Sequence, residues 1–479
     1  MGDSKPLVLD VDGTFLKTDL LYESFWAGLG QAPLATLRAV AGDFRRPARL
    51  KARLASIVTL RTDLMPVNPE VADVAMQALR DGRQVVLASA SDQRLVRELA
   101  GSYGLSPEVF ASSPEHNLKG PAKAEALVAA YGAGGFDYAG NARVDRAIWA
   151  RADTALVVGD DASARALQKA GKPVQSLAGG WKLRDLIRAL RPHQWVKNVL
   201  LFLPMLAAHD FSLQSFWLVL LGIMAFSAAA SAIYIVNDLL DLEADRLHET
   251  KRHRPFASGA VPISVGMAAG LFMALLALGV GMWLGAAFLV TILIYMVLSL
   301  AYSLRLKRLR WIDLATLAGL YTLRVIAGVT AMQGELSVFL VVFIYPIFLS
   351  LGCVKRMTEL SLAKDDARLP GRGYGKADME DLLNIAYLGM FGALMNFFLY
   401  SFSEQATRLY PTRWLLWLAL VPIALWLWRM IRLGYTGQQD YDPVVFAMKD
   451  KRGIGLILAT LTIMFAAAGL WKDWYTTWF

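Results

Sequence analysis

The sequence predicts two parts: an N-terminal doubly wound α/β domain with a helical cap, then an all-α bundle of nine transmembrane helices. Three observations predict it. Residues 1–180 carry an ordinary globular mixture in which short apolar runs alternate with helical ones. Residues 196–471 hold repeated apolar runs of about 16 to 24 residues, close to the length that crosses a bilayer. Hydrophobic residues make up 56% of the 479, with a mean hydropathy of +0.41, too apolar for a wholly soluble chain.

Composition also excludes some classes. The single cysteine, Cys353 inside an apolar run, rules out an internal disulfide and a thiolate metal cluster. Lys and Arg exceed Asp and Glu by 49 to 40, but the excess falls in the loops between apolar runs, so no nucleic-acid partner is expected. Met1–Pro6 leads straight into a strand, and no signal peptide is expected.

In chain order, Leu7-Val8-Leu9-Asp10-Val11-Asp12-Gly13-Thr14 reads as a buried strand ending in two carboxylates and a tight turn. Asp10 and Asp12, being alternate residues, point to the same side of the strand end. One can attack phosphorus and the other move a proton while Mg²⁺ screens the phosphate. Residues 15–75, rich in Leu and Arg, read as the helical cap. Strands follow at Gln84–Ala88, leading to Ser89 and Ser91, at Phe136–Ala139, leading to Gly140-Asn141, and at Ala155–Val158, leading to Asp160-Asp161. The last acidic pair reads as a loop. These pieces resemble the haloacid dehalogenase superfamily. The resemblance implies a phosphatase with Asp10 as nucleophile, Asp12 as acid/base and Ser89, or Ser91, as phosphate donor. It also implies Lys123, with Lys119 as runner-up, as charge stabiliser, and Asp10, Asp12 and Asp145 as Mg²⁺ ligands. Asn141 stands where the family usually has Asp, one negative charge fewer, so the rival expectation is a domain that keeps the fold without the activity.

Gly179-Gly180 opens a basic amphipathic linker, 181–193, carrying Lys182, Arg184, Arg188 and Arg191, of a kind that lies along anionic lipid. The nine spans are expected at 194–208, 213–236, 263–282, 285–303, 312–331, 338–355, 382–402, 414–431 and 453–471, within a membrane domain covering 194–479. Loops 237–262, 304–311, 355–381 and 429–452 hold 19 Lys and Arg, against only Arg408, Arg413 and Lys472 opposite. The rich side is cytoplasmic by the positive-inside rule, so the protein is expected in the cytoplasmic membrane with its N-terminal domain in the cytoplasm.

Directly after the second span comes Asn237-Asp-Leu-Leu-Asp-Leu-Glu-Ala-Asp245. On a helix, Asp238, Asp241 and Asp245 share one face, a set of oxygens suited to Mg²⁺. Six residues on, Lys251-Arg252-His253-Arg254 is placed to hold phosphates that the metal bridges. The run Arg191-Pro-His-Gln-Trp-Val-Lys-Asn198 places His193, Lys197 and Asn198 at the mouth of the first span. Arg324 falls eleven residues beyond Asp313, about 16 Å along a helix. Lipid exposure there is costly, so Arg324 should face a polar cavity.

Residues 190–479 resemble the UbiA prenyltransferase superfamily, whose acidic motif is matched by Asn237, Asp238, Asp241 and Asp245. Within it they are similar to the decaprenyl-phosphate phosphoribosyltransferases. Further matching pieces are 191–198, Thr250–Pro255, Tyr302-Ser-x-x-Leu-Lys307, Asp313, Leu323–Gly328, Lys355-Arg356 with Glu359, and Asp442-Pro-Val. The second Asp-x-x-x-Asp of the aromatic prenyltransferases is missing, since Leu317 follows Asp313 by four. The resemblance implies phosphoribosyl diphosphate as Mg²⁺-bound donor and polyprenyl phosphate as nucleophile. Asp238, Asp241 and Asp245 would hold the metal. Asn237, Lys197, Asn198, Tyr302, Arg324, Lys251, Arg252, Arg254, Lys307, Lys355 and Arg356 would bind substrate. Two alternatives stand beside it: prenyl transfer from a prenyl diphosphate to an aromatic acceptor, and a lipid-binding membrane module with the soluble phosphatase as sole enzyme.

Overall fold

A computed structural model of the chain describes residues 5–363, 372–439 and 442–470. Two compact units emerge: Met1–Leu190 with Tyr234–Leu271, and Arg191–Ile233 with Phe272–Phe479. This differs from the expected division at 181–193, because the segment carrying the acidic motif groups with the N-terminal sheet. Lys472, and residue 471 at the end of the ninth expected span, lie outside the described residues.

In the first unit the N-terminal elements are β1 (Leu7–Asp10), α1 (Leu20–Gln31), α2 (Pro33–Asp43), α3 (Pro47–Ile57), α4 (Pro69–Arg80), β2 (Val85–Asp92), α5 (Gln93–Ser102), β3 (Val109–Ser112), α6 (Pro121–Tyr131), β4 (Asp137–Gly140), α7 (Arg146–Trp149), β5 (Ala155–Val158), α8 (Asp161–Lys169), β6 (Val174–Leu177) and α9 (Leu183–Leu190). Four of these helices open on proline, whose missing N–H costs nothing there. Asp160 caps α8 by accepting the Ser163 N–H at 3.0 Å and Asp161 is the first residue of that helix, so the second acidic pair, expected in a loop, opens a helix.

All six strands pair in parallel, in the order β3-β2-β1-β4-β5-β6. Successive residues of β1 feed opposite cores: Leu7 and Leu9 pack with Val71, Leu95 and Leu99, while Val8 packs with Leu127, Tyr138 and Trp149. That is how a parallel sheet covered on both faces reads. Strand order reverses beside β1, so the crevice at its carboxyl end is where a ligand fits this topology. β2 runs to Asp92, further than expected, with a register shift between Ala88 and Asp92. β3 was not anticipated, since its four residues are short and only partly buried.

The remaining helices are α10 (Leu203–Ala207), α11 (Leu213–Leu240), α12 (Leu242–Leu247), α13 (Ile263–Leu284), α14 (Ala286–Leu304), α15 (Ile312–Ala331), α16 (Val338–Ser361), α17 (Met379–Tyr400), α18 (Glu404–Leu409), α19 (Trp414–Tyr435), α20 (Pro443–Ala447) and α21 (Lys451–Ala467). Among the described residues, seven of them, α11, α13 to α17 and α19, are long and apolar enough to cross a membrane. The first expected span, 194–208, is instead a 3₁₀ stretch, Pro192–Phe202, followed by the five-residue α10. Two prolines remove N–H donors there, and the buried polar side chains of Lys197 and Asn198 find partners. At the ninth expected span, α21 has 17 residues. The second unit's core lies among α15, α16, α17 and α19, where Val325, Phe348, Ala393 and Leu427 pack together. Cys353 is fully buried in a neighbouring cluster with Leu314 and Met357.

Candidate functional sites

At the carboxyl end of β1, Lys123 Nζ donates to Asp10 Oδ1 at 2.6 Å, to the Ala88 carbonyl at 3.2 Å and to Tyr138 Oη at 3.2 Å. Thr14 Oγ1 donates to Asp10 Oδ2 at 3.1 Å. Asp12 Oδ2 accepts from both Ser89 Oγ (2.9 Å) and Ser91 Oγ (2.8 Å), while its Oδ1 accepts the Leu20 N–H at 2.8 Å. Asp145 accepts from Tyr138 Oη at 3.2 Å and from the N–H groups of Asn141 and Ala142 at 3.2 and 3.0 Å. Lys123 rather than Lys119 meets Asp10, Ser89 and Ser91 both meet Asp12, and Asp145 is linked to Lys123 through Tyr138. Gly13, at φ +78°, leaves no room for a side chain, since a Cβ would stand 2.3 Å from Asn141 Nδ2. Asn141 thus lies directly over the turn that follows Asp12.

The electrostatics follow from this burial. Burial pushes the Asp10 carboxyl up to about 7 against the pull of Lys123, with Asp145 and Asp12 adding to the rise. Asp19 also rises to about 7, by burial and then by the Asp12 charge. Burial alone would lower the Lys123 ammonium, but Asp10 and Asp145 hold it above its usual value. Sequence reasoning missed Tyr138, which links Lys123 to Asp145. It also missed Lys51, which reaches from cap helix α3 to the Ala90 carbonyl at 2.6 Å and to Asn117 Oδ1 at 3.4 Å. No local pattern marks either residue.

The acidic motif sits in the same unit. α11 ends at Leu240 and α12 begins at Leu242, so Asp241 occupies a break rather than the middle of one continuous helix. Asp238 and Asp245 are 2% and 3% exposed. Both accept from one nitrogen, Arg254 Nη1, at 3.2 Å from Asp238 and at 3.0 and 2.7 Å from the two Asp245 oxygens. Burial raises the Asp245 carboxyl, opposed by Arg254. The expected face of three convergent carboxylates is corrected accordingly: among the described residues no three His, Cys, Asp or Glu side chains form a metal cluster. The Arg254 guanidinium nitrogen lies between the two carboxylates. The donor set is all oxygen and converges on a single positive centre, which fits a hard divalent cation. Asp10, Asp12 and Asp145, expected as Mg²⁺ ligands, form no metal cluster among the described residues either: Asp10 is turned onto Lys123, Asp12 onto Ser89 and Ser91, and Asp145 onto the N–H groups of Asn141 and Ala142. Asn237 is half-buried, and Lys251 and Arg252 are exposed.

In the second unit, Arg324 is enclosed rather than lipid-facing. Its Nε donates to Asn198 Oδ1 (3.1 Å) and its Nη1 to the Leu320 carbonyl (2.7 Å), and its guanidinium lies 5.2 to 5.3 Å from the ring centroids of Phe226, Tyr295 and Tyr321. Asn198 Nδ2 donates to Ser227 Oγ at 2.8 Å. Lys197 pairs with Asp442, whose carboxylate also caps α20. His193 is exposed, and Lys307 and Lys355 are half-buried. Arg356 Nε and Nη2 donate to the two Asp313 oxygens at 2.6 and 2.9 Å, Nη2 also to Tyr302 Oη at 3.0 Å, and Nη1 to Glu359. Tyr302 Oη donates to Asp313 Oδ1 at 2.9 Å, and Arg372 Nη1 approaches Asp313 Oδ1 at 3.2 Å. Arg356 was expected at a substrate phosphate; its donors are instead turned onto this network, with the side chain fully buried. Arg372 was not foreseen, since it lies in a charged loop with no periodic pattern. Separately, an apolar cavity of about 760 Å³ is lined by residues that include Leu203, Phe339, Phe343, Ile347, Phe397 and Met464.

These features define a multi-pass membrane protein with a six-stranded parallel α/β domain and an acidic motif at the end of a membrane helix. The chain belongs to the UbiA prenyltransferase family, whose model matches residues 198–449. It is 32% identical to the uncharacterised protein y4nM of Sinorhizobium fredii over 470 residues, spanning 96% of this chain and 90% of that one. It is 41% identical over 203 residues to the decaprenyl-phosphate phosphoribosyltransferase of Corynebacterium glutamicum, spanning 40% of this chain and 58% of that relative, less than two thirds of its length. Among solved structures, a UbiA homologue from Archaeoglobus fulgidus bound to GPP and Mg²⁺ aligns with a TM-score of 0.45 at 15% identity, covering 60% of this chain and 99% of that one.

Proposed function

We propose that the membrane part transfers 5-phosphoribosyl from phosphoribosyl diphosphate to a polyprenyl phosphate, and that the N-terminal domain, read as haloacid dehalogenase-like, then removes the 5-phosphate. The observation that carries the first step is the pair of buried carboxylates, Asp238 and Asp245, converging on one cationic nitrogen within the motif. The name of the relative, a decaprenyl-phosphate phosphoribosyltransferase, supports phosphoribosyl as the group transferred and a polyprenyl phosphate as the acceptor. Mg²⁺ held by Asp238 and Asp245 would supply charge neutralisation for the departing diphosphate. In the transfer the ribose C1–O bond to diphosphate breaks and a bond to the lipid phosphate oxygen forms. That oxygen is already ionised, so no general base is required. Arg254, Lys251 and Arg252 are the candidates for phosphate contacts beside the motif, with Asn237, and Lys197, Asn198, Tyr302, Lys307, Arg324 and Lys355 in the bundle. Arg356 acts by holding Asp313. The apolar cavity is the proposed place for part of the isoprenoid tail.

In the second step an Asp10 oxygen attacks the 5-phosphate phosphorus, the ester oxygen leaves with a proton from Asp12, and water then cleaves the aspartyl phosphate with Asp12 taking its proton. Ser89 and Lys123 orient and neutralise the phosphoryl group. Both sites are proposed to face the cytoplasm, so tethering keeps the local concentration of the lipid product high. The test is to give purified wild type, Asp238→Asn and Asp10→Asn Mg²⁺, phosphoribosyl diphosphate and polyprenyl phosphate, and weigh the lipids. Wild type should yield polyprenyl-phosphoryl-ribose, Asp10→Asn should accumulate its 5-phosphate, and Asp238→Asn should yield neither. Transfer by Asp238→Asn at the wild-type rate would refute the first step. Equal product masses from wild type and Asp10→Asn would refute the second. Transfer from a prenyl diphosphate to an aromatic acceptor instead would replace the reading.

A further inference from the structure

The acidic motif and the cap of the N-terminal domain meet through a buried ion pair that no step above uses. Arg246, the residue after Asp245, sends Nη2 and Nη1 to the two oxygens of Glu23 at 2.5 and 3.1 Å. The two side chains are 8% and 3% exposed. Glu23 lies in the first turn of cap helix α1 and also accepts from Thr18 Oγ1 at 2.6 Å. The third donor of Arg246, Nε, reaches the carbonyl of Ala257 at 3.2 Å, three residues beyond Arg254. One guanidinium thereby ties together the cap, α12 and the turn that supplies Arg254 to Asp238 and Asp245.

Two further contacts hold the same turn. Gly259 has φ +67°, and a Cβ there would stand 2.6 Å from Lys17 Cβ and 3.0 Å from Pro66 Cγ, so the turn lies directly on the base of the cap. Ser258 Oγ donates to the Arg254 carbonyl at 2.8 Å. The cap helix is itself anchored: Asp19 accepts the N–H groups of Leu21 and Tyr22, and Asp12 accepts that of Leu20. Burying a bidentate ion pair costs desolvation on both sides, so its gain lies in fixing geometry rather than in raw stability.

We infer that Glu23 and Arg246 are positioning residues for the transferase, the cap of the soluble domain holding Asp245 and Arg254 in the arrangement that receives the metal and the diphosphate donor. The soluble domain is then a structural part of the transfer site as well as a second enzyme. The inference rests on the transfer reading proposed above, and the experiment separates the two. Full-length wild type, Glu23→Gln and the charge-reversed pair Glu23→Arg/Arg246→Glu are compared in detergent by three measurements. These are transfer rate against Mg²⁺ and phosphoribosyl diphosphate concentration, hydrolysis of p-nitrophenyl phosphate, and hydrogen exchange across residues 241–259.

For Glu23→Gln the expected result is a rise of about tenfold or more in the Mg²⁺ and donor concentrations that give half-maximal transfer, the scale set by small misplacements of a site. Phosphomonoester hydrolysis should be retained, and exchange should be faster across 241–259 but unchanged in α15. The reversed pair should recover much of the loss. Wild-type transfer constants in Glu23→Gln would overturn the inference, as would equal loss of both activities with faster exchange throughout, which marks a general staple. Should wild type transfer nothing, the function reading falls and the exchange data alone decide the clamp: unchanged exchange across 241–259 in Glu23→Gln overturns it.

Discussion

Replacing Arg356 with Met tests whether this residue holds the bundle together or holds a substrate phosphate. The substitution strips both Asp313 oxygens of donors at 2.6 and 2.9 Å and takes one donor each from Tyr302 and Glu359. Removing one partner of a fully buried pair costs roughly 3–5 kcal/mol. The lower end applies here, because Asp313 keeps the Tyr302 hydroxyl at 2.9 Å and Arg372 at 3.2 Å, and Glu359, 17% exposed, can reach water. At roughly 2–4 °C per kcal/mol for a domain of this size, a loss of about 3 kcal/mol lowers Tm by roughly 6–12 °C. Tryptophan fluorescence during heating of the detergent-solubilised protein reads this directly. The double variant Asp313→Asn/Arg356→Met should regain most of the loss, since a neutral pair no longer leaves a buried charge unbalanced. A wild-type Tm for Arg356→Met together with a raised KM for the phosphoribosyl donor would refute the argument and return Arg356 to the substrate.

Arg324→Leu should lose about 1–3 kcal/mol, the cost of leaving Asn198 Oδ1 without its donor, and should lower transfer activity; full stability with full activity would show that the enclosed guanidinium has no role. Asp19 gives a pH dependence whose sign can be worked out. Its carboxyl is held up to about 7 in the folded protein, against an ordinary value near 3.8. The folded state therefore keeps a proton that the unfolded chain releases, and this stabilisation is complete below about pH 4 and lost as pH rises through about 7. Asp19→Asn keeps an oxygen for the N-cap and removes the titration. Between pH 4 and 8, the Tm of wild type measured without added Mg²⁺ should fall more steeply than that of Asp19→Asn, and parallel profiles would contradict the burial argument.

Much of the candidate site was legible because it lies in short local runs. Leu7–Thr14 announces a strand ending in two carboxylates, and Asn237–Asp245 announces an acidic helix end, since alternate and helical spacings decide which side chains share a side. Among the described residues, the seven helices long and apolar enough to cross a membrane were likewise legible, apolarity over about twenty residues being a property of composition. Pro192 and Pro204 were visible too, yet an apolar run outweighed them in the reading, and the stretch folded as 3₁₀ turns and a short helix.

What only the tertiary structure decided is how charges meet across sequence distance. Nothing local pairs Glu23 with Arg246, 223 residues away, or Arg356 with Asp313, 43 residues away. The sequence by itself therefore determined which residues carry charge and on which segment they sit, because helix, strand and membrane periods act over a few residues. The folded chain determined which of those charges neutralise one another. A buried guanidinium must spend its donors on the nearest carboxylates, and nearness is set by packing rather than by spacing. Arg254 at Asp238 and Asp245 has that origin, and so does Arg356, whose donors are turned onto Asp313, Glu359 and Tyr302.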